Sequence, residues 1–190
     1  MRKSIAGLGT SNGPVRDALI QLRSEHLVQG GHGQNWTVTR ITREMIDEGM
    51  IVREGLEAQS ARCCAVSATP MDIQRLMKLA EEIDGRIEAG LDADDLTTEL
   101  DERFHLMVAE TAGCGWLREE IKRWTVVMTW AGQFIGNLKT KSESHVEVVR
   151  AIATGDPDAA DRQMRQHILY PWQDMKWEVQ ETAALKLVAD

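Results

Sequence analysis

The sequence predicts a mostly α-helical protein, in which a short N-terminal part with a hairpin precedes an all-helical bundle. Apolar residues recur with helical spacing from residue 41 onward, and that stretch lacks the alternation of period two that marks a half-buried strand. Extended runs occur only at residues 27–28 and 36–39. A chain of 190 residues with 43% apolar side chains can form a core in one or two domains.

The N-terminal part combines helical segments with the hairpin. Residues 2–8 are weakly helical, and a break at Gly9 and Thr10 is followed by Ser11, which can cap a helix. An amphipathic helix then follows, with the i, i+3, i+4, i+7 pattern of apolar residues at Val15, Ala18, Leu19 and Leu22. A glycine-rich tip at residues 29–35 joins the two extended runs. Helix, turn, helix and hairpin form the layout of a winged helix-turn-helix.

Helices are the only elements predicted after residue 40. Thr42 and Thr69-Pro70 have the capping chemistry that starts a helix, and Gly155-Asp156-Pro157 ends one helix and begins another. Pro171 ends or kinks the last long helix, and a tail helix can follow it. The predicted helices cover residues 42–66, 70–89, 92–110, 116–138 (interrupted near Gly132 or Gly136), 142–153 and 157–170.

Charge is distributed unevenly along the chain. The net charge is −8, but residues 1–40 have five basic and two acidic side chains, a net charge of +3, which leaves −11 for the rest. A basic N-terminal part followed by an acidic remainder indicates two parts with different partners. No stretch approaches the ~20 apolar residues of a membrane span. The three cysteines lack CxxC spacing. We therefore expect a soluble, cytoplasmic protein with reduced thiols and no membrane partner.

A metal site is indicated within the helical part. Asp101 and His105 are four residues apart on a predicted helix, so their side chains point the same way, one turn apart. His145 and His167 lie in the two following helices with apolar neighbours. Desolvating four polar side chains without a shared partner would cost several kcal/mol. One carboxylate and three imidazoles suit a divalent cation, with Zn, Ni or Mn expected and Fe also compatible.

Residues 5–19 resemble the DNA-reading segment of GntR-family transcriptional regulators. That family typically shows an L-G-V-S-R-x-P-V-R-E-A-L run, and this chain has the distinctive P-V-R-D-A-L core at residues 14–19. The family's usual arginine after serine is an asparagine here. The family's first helix is missing, which we expect to reflect either a late start codon or a truncation. The resemblance implies DNA contacts from residues of the helix N-terminus and wing tip: Ser11, Asn12, Arg16, His32 and Gly33.

The rest of the chain resembles the ligand-binding domain of the FadR subgroup, the FCD type. Residues 52–57 match its V-R-x-x-L-E signature, residues 101–105 match its D-x-x-F-H, and residues 145–167 match its closing H…GD…H pattern. The resemblance implies a winged helix-turn-helix domain at residues 1–40 and an all-α effector- and metal-binding domain of six or seven helices at residues 41–190. It further implies a homodimer and a metal held by one aspartate and three histidines.

Arg53 is a candidate clamp for an effector carboxylate, because a guanidinium binds a carboxylate with two parallel hydrogen bonds. The alternative role is a structural ion pair, for instance with Glu57 four residues later.

The leading functional hypothesis is a metal-dependent, effector-responsive regulator that binds operator DNA and senses a small carboxylic acid. A second hypothesis is a stand-alone sensor of metal and organic acid that does not bind DNA. A third is a metal-dependent enzyme, but we find no general base or nucleophile beside the ligands in the sequence, so we expect no catalysis.

Overall fold

The computed structural model describes residues 11–31, 34–91, 95–132 and 144–173. These residues form a two-stranded antiparallel hairpin and seven helices, which confirms the predicted fold class. No helix among them is long and apolar enough to cross a membrane. The elements are α1 (Asn12–Ser24), β1 (Val28–Gly31), β2 (Gln34–Val38), α2 (Arg43–Ser67), α3 (Pro70–Glu88), α4 (Asp95–Thr111), α5 (Gly115–Gly132), α6 (His145–Ala153) and α7 (Pro157–Gln173).

The hairpin packs beside α1. Val28 pairs with Val38 in the antiparallel ladder, and the register shifts before the tip. Arg23 of α1 donates from Nη1 to the carbonyl oxygen of Gly30 at 3.2 Å, and its guanidinium lies 5.8 Å from the ring centre of Trp36. A hydrogen bond and a cation–π contact therefore attach the hairpin to the helix.

One aromatic contact connects this N-terminal part to the bundle. The rings of His26 and Trp124, a residue of α5, are stacked with their centres 5.9 Å apart. The division of the chain near residue 40 remains a prediction.

Capping residues explain where the bundle helices begin. Thr42 accepts a hydrogen bond from the backbone N–H of Met45 at 3.1 Å, and Thr69 forms a reciprocal capping box with Asp72. Gly155 adopts φ 72° after α6. These starts and stops agree with the sequence prediction.

One predicted helix end differs from the structure, and one further end and one start lie outside the described residues. Helix α7 continues to Gln173, beyond the end predicted at residue 170, because a proline near a helix end removes only one backbone hydrogen bond. The predicted extension of α5 to residue 138 and the predicted start of α4 at residue 92 lie outside the described residues.

Helix α2 is the centre of the bundle. It packs along α7 and also contacts α4, α5 and α6, while α3 packs against α4 and α6. Ion pairs at the edge of the α2–α7 contact join Arg165 to Glu54 and Arg62 to Asp158. Burying one large aliphatic or aromatic side chain contributes about 1.5–3 kcal/mol. The core includes the fully buried residues Ile46, Leu76, Ile83, Phe104, Val108, Ile152 and Met164.

The cysteines are free thiols, as expected. Cys63 is half-buried, Cys64 is buried and Cys114 is exposed. Burial raises the pKa of the Cys64 thiol to about 12, so this thiol is unreactive at neutral pH.

Candidate metal centre

The four predicted ligands converge inside the bundle. One possible ligand atom from each of Asp101, His105, His145 and His167 lies within 4.8 Å of all the others. Tetrahedral ligand atoms about 2.1 Å from a shared zinc ion lie about 3.4 Å apart, so the longest separations in the cluster would have to shorten by roughly 1 Å for all four atoms to bind one ion. With that movement the cluster fits a metal of the size expected from its ligand types.

Three helices bring these side chains together. Helix α4 contributes Asp101 and His105, α6 contributes His145 as its first residue, and α7 contributes His167. The three imidazoles are almost fully buried, whereas the Asp101 side chain is 38% exposed. The site is thus closed on the side of the core and reaches solvent on the side of the carboxylate.

Phe104 holds the three imidazoles at fixed distances. Its ring centre lies 5.5 Å from that of His105, 5.0 Å from that of His145 and 6.4 Å from that of His167. All three contacts are edge-on, and Phe104 itself is fully buried. An aromatic ring packed this way restricts the rotation of its neighbours, so the cluster has little freedom to rearrange.

His145 lies between two carboxylates. Its Nε2 lies 2.9 Å from Oδ1 of Asp101, and its Nδ1 lies 2.7 Å from Oδ1 of Asp84. Burial alone would lower the pKa of His145, but hydrogen bonds to Asp101 and Asp84 raise this pKa to about 9. Burial likewise opposes ionisation of Asp101, yet His105 and His145 lower the pKa of Asp101 well below its usual range. A metal at Nε2 would take the place of one proton.

His105 has a carboxylate partner of its own. Its Nδ1 is in close contact with Oε2 of Glu57, and its Nε2 lies 3.8 Å from Oδ2 of Asp101. Glu57 is only 2% exposed. Burial would raise the pKa of Glu57, but the charge of Arg53 and the contact with His105 lower it to about 2. Since Glu57 engages Nδ1, His105 presents Nε2 to the centre of the cluster.

Arg53 makes the ion pair that was the alternative to an effector clamp. Its Nε donates to Oε1 of Glu57 at 2.6 Å. Burial opposes its charge, but Glu57, Asp101 and Glu102 together raise the pKa of Arg53 above its ordinary value. The guanidinium is therefore close enough to Asp101 for their charges to interact. Its effector-binding role remains a prediction.

Comparison with known proteins identifies the helical part. Residues 48–169, most of the bundle, match the FCD domain. The chain belongs to the FCD-domain family. The HTH-type transcriptional repressor RspR of Escherichia coli K12 is 27% identical over 162 residues, which span 83% of this chain and 70% of that protein. A probable D-xylose utilization operon transcriptional repressor of Paenarthrobacter nicotinovorans is 26% identical over 174 residues, spanning 86% and 72%.

Solved structures support the same fold. McbR/YncC of E. coli superposes with a TM-score of 0.59 at 21% identity, covering 85% of this chain and 80% of that one. GntR of Streptococcus agalactiae gives a TM-score of 0.57 at 22% identity, covering 87% and 83%. The relatives named above are transcriptional regulators, and the two solved structures share the fold of this chain.

The predicted DNA contacts of this FCD protein are described in part. Ser11, Asn12 and Arg16 lie in or beside the first turns of α1, and all three are exposed. Ser11 is the N-cap residue of α1, but its side chain makes no capping hydrogen bond. His32 and Gly33 lie outside the described residues. The position of the first three residues is compatible with phosphate binding at a helix N-terminus.

Sequence reasoning missed two carboxylates of the FCD site. From the sequence, Glu57 was named only as an ion-pair partner of Arg53, and Asp84 was not named. A signal existed for Glu57, because it lies four residues after Arg53 in a helix whose neighbouring positions are apolar. No comparable signal exists for Asp84, because α3 has acidic residues on several faces.

Proposed function

We propose that this FCD domain holds one divalent metal ion through Asp101, His105, His145 and His167, and that an effector binds at this metal ion. The observation that supports the proposal is the convergence of three buried imidazoles and one carboxylate. Neutral imidazole with carboxylate favours Zn, Ni or Mn. Four protein ligands leave at least one position open when the ion is five- or six-coordinate.

We infer that the effector is a small carboxylic acid. A bound metal supplies positive charge and an open coordination position, both of which suit a carboxylate oxygen. Arg53 adds a second positive charge close to Asp101, and a guanidinium can bind a carboxylate through two hydrogen bonds. The exposed side of Asp101 is the route by which such a molecule can reach the buried imidazoles.

The DNA-binding part of the proposal concerns residues 1–40. Ser11, Asn12 and Arg16 place polar and basic groups at the exposed start of α1. The resemblance to GntR regulators assigns the same DNA-binding role to His32 and Gly33, which lie outside the described residues. We propose that this part binds operator DNA and that residues 41–190 form the sensing domain. In a homodimer, the effector would change the spacing of the two DNA-reading parts, provided that it binds the two arrangements with different affinities.

Elemental analysis of the purified protein tests the metal site. About one metal per chain is expected in the wild type, and a strongly reduced content in His145→Ala and His167→Ala. His26→Ala is the matched control, because His26 lies in the N-terminal part and stacks on Trp124 instead of facing the cluster. Full metal content in His145→Ala would remove that residue from the site.

Operator retardation with a panel of hydroxy and keto acids tests the sensing role. An acid that alters retardation of the metal-loaded protein, and has no effect after chelation, would support the proposal. Arg16→Ala should weaken retardation while metal content stays at the wild-type level. A wild-type chain that binds no metal after dialysis against Zn, Ni and Mn would contradict metal dependence, leaving the histidines and Arg53 to bind an effector directly.

A further inference from the structure

Asp84 is not one of the four proposed ligands, but its carboxylate contacts the first residues of α6. Asp84 lies near the end of α3, and its Oδ1 accepts from the backbone N–H of His145 at 3.1 Å while lying 2.7 Å from the ring Nδ1. Its Oδ2 accepts from the Ser144 hydroxyl and from the backbone N–H of Val146 at 3.1 Å. One carboxylate therefore holds both the backbone and the side chain of the first residue of α6.

The start of α6 depends on this carboxylate. The first N–H groups of a helix have no partner within the helix. Ser144 is the N-cap residue, but its side chain makes no capping hydrogen bond, because its hydroxyl donates to Asp84 instead. Asp84 supplies the acceptors from another helix, and its negative charge suits a helix N-terminus. Helix α3 thus determines where α6 begins.

The same carboxylate selects the nitrogen that His145 can offer to a metal. An imidazole that binds a metal through one nitrogen keeps its hydrogen on the other, and the partner of that other nitrogen fixes the tautomer. A carboxylate at Nδ1 accepts a hydrogen bond, so it keeps the hydrogen on Nδ1. The available nitrogen is then Nε2, which lies 2.9 Å from Oδ1 of Asp101, inside the cluster.

We propose that Asp84 is a positioning residue of the metal centre, which caps α6 and holds the ring of His145 so that Nε2 faces the ion. This inference rests on the metal site of the proposed function. Partners of this kind affect metal affinity by about 10- to 100-fold.

Helix α3 also offers a matched control. Asp72, at its other end, is a capping carboxylate too: it accepts from the backbone N–H of Thr69 at 3.0 Å and from the Thr69 hydroxyl. Asp72→Ala removes a capping carboxylate from the same helix without removing any group that contacts His145. The Asp72→Ala variant therefore measures the effect of losing a helix cap, separately from the effect of losing the carboxylate that holds the His145 ring.

The test measures zinc affinity by competition with a chromophoric chelator, together with thermal stability in EDTA. Asp84→Ala should bind zinc about 10- to 100-fold more weakly than the wild type, whereas Asp72→Ala should keep wild-type affinity despite a lower melting temperature. Asp84→Asn should lie between them, since its amide oxygen can still accept from Nδ1 while its NH₂ group cannot accept from Val146. Nitrogen NMR of labelled histidine should show His145 in the Nδ1–H form in the zinc-loaded wild type.

Three results would overturn the inference. Wild-type zinc affinity in Asp84→Ala, or an equal loss in Asp72→Ala, would reduce Asp84 to an ordinary cap while leaving the proposed metal site in place. Absence of zinc binding in the wild type would overturn the proposed metal site and this inference together. If Asp84→Ala fails to fold, Asp84→Asn is judged by the same comparison with Asp72→Ala.

Discussion

The helical bundle and the N-terminal part bury their side chains to very different extents. In the bundle, Leu76, Phe104 and Ile152 are almost completely buried, and they belong to one continuous core. Helix α1 has no buried residue, and the hairpin buries chiefly Val28 and Trp36. The bundle therefore has enough burial to fix its own geometry, whereas the described N-terminal residues depend on few contacts.

The two parts also differ in where their charges lie. In the bundle, buried His105 connects buried Glu57 to Asp101, and Asp101 contacts buried His145. In the N-terminal part, polar groups such as Asn12 and Arg16 are exposed. Buried polar groups need hydrogen-bond or ion-pair partners, and a bound metal ion can be one of them. Exposed polar and basic groups can instead bind a large charged molecule such as DNA. This contrast supports the proposed division into a sensing part and a DNA-reading part.

Truncating a core aromatic should have the largest effect on this contrast. Phe104→Ala removes a fully buried ring that contacts three imidazoles edge-on, so we expect a loss of about 3–5 kcal/mol in unfolding free energy, together with weaker metal binding. Leu22→Ala, at a half-buried position of α1, should cost about 1 kcal/mol or less. Urea denaturation of both variants in EDTA, followed by circular dichroism, measures the difference.

Equal losses in the two variants would show that the N-terminal part and the bundle unfold as one unit with a shared core. A small loss in Phe104→Ala with unchanged metal content would contradict the role of the ring in holding the imidazoles.

The sequence predicted the parts of the site that local patterns determine. Asp101 and His105 share one helical turn, and histidines are rare in this chain, so the clustering of these two residues with His145 and His167 could be predicted without a structure. Thr42 and Thr69 gave the helix starts for the same local reason. Asp84 could not be found this way. Its contact with His145 spans 61 residues and depends on how α3 packs against α6, which no local spacing determines.

The dependence of stability on pH should separate the buried network from the surface. The pKa of His145 is raised from its ordinary value of 6.5 to about 9, so its contribution is fully present below pH 6.5 and is lost as pH rises towards 9. Glu57 and Asp84 have lowered pKa values of about 2, so their contributions are lost as pH falls from about 4 towards 2. In EDTA, stability should be highest between about pH 4.5 and 6.5.

The alkaline decrease should amount to roughly 1–3 kcal/mol by pH 9 and should disappear in His145→Gln. His26→Ala, the same residue type in the N-terminal part, should retain the decrease. Melting temperatures across the pH series measure both variants. A flat alkaline profile in the wild type, or a decrease that persists in His145→Gln, would show that the network of His145 with Asp84 and Asp101 does not stabilise the fold.

A substitution in the hairpin should leave the bundle unchanged and have a local effect on the hairpin and on function. Gly30 has φ 128°, and a Cβ atom there would lie 2.6 Å from the carbonyl oxygen of Asn35, so the strands must shift to accept alanine. We expect Gly30→Ala to cost about 1–3 kcal/mol within the hairpin and to weaken operator retardation. Metal content and the unfolding midpoint of the bundle should stay unchanged, because the described residues of the hairpin contribute no ligand to the candidate metal centre.

Gly13→Ala is the matched control in the N-terminal part. A Cβ atom at Gly13 would meet nothing within 4 Å, and the residue lies in the first turn of α1, where alanine favours the helix by up to about 1 kcal/mol. Amide hydrogen exchange in the hairpin should therefore speed up in Gly30→Ala and stay unchanged in Gly13→Ala. If Gly30→Ala also lowered metal affinity, the N-terminal part would have to act on the bundle without any effector, and the contact between His26 and Trp124 would be the first place to search for that coupling.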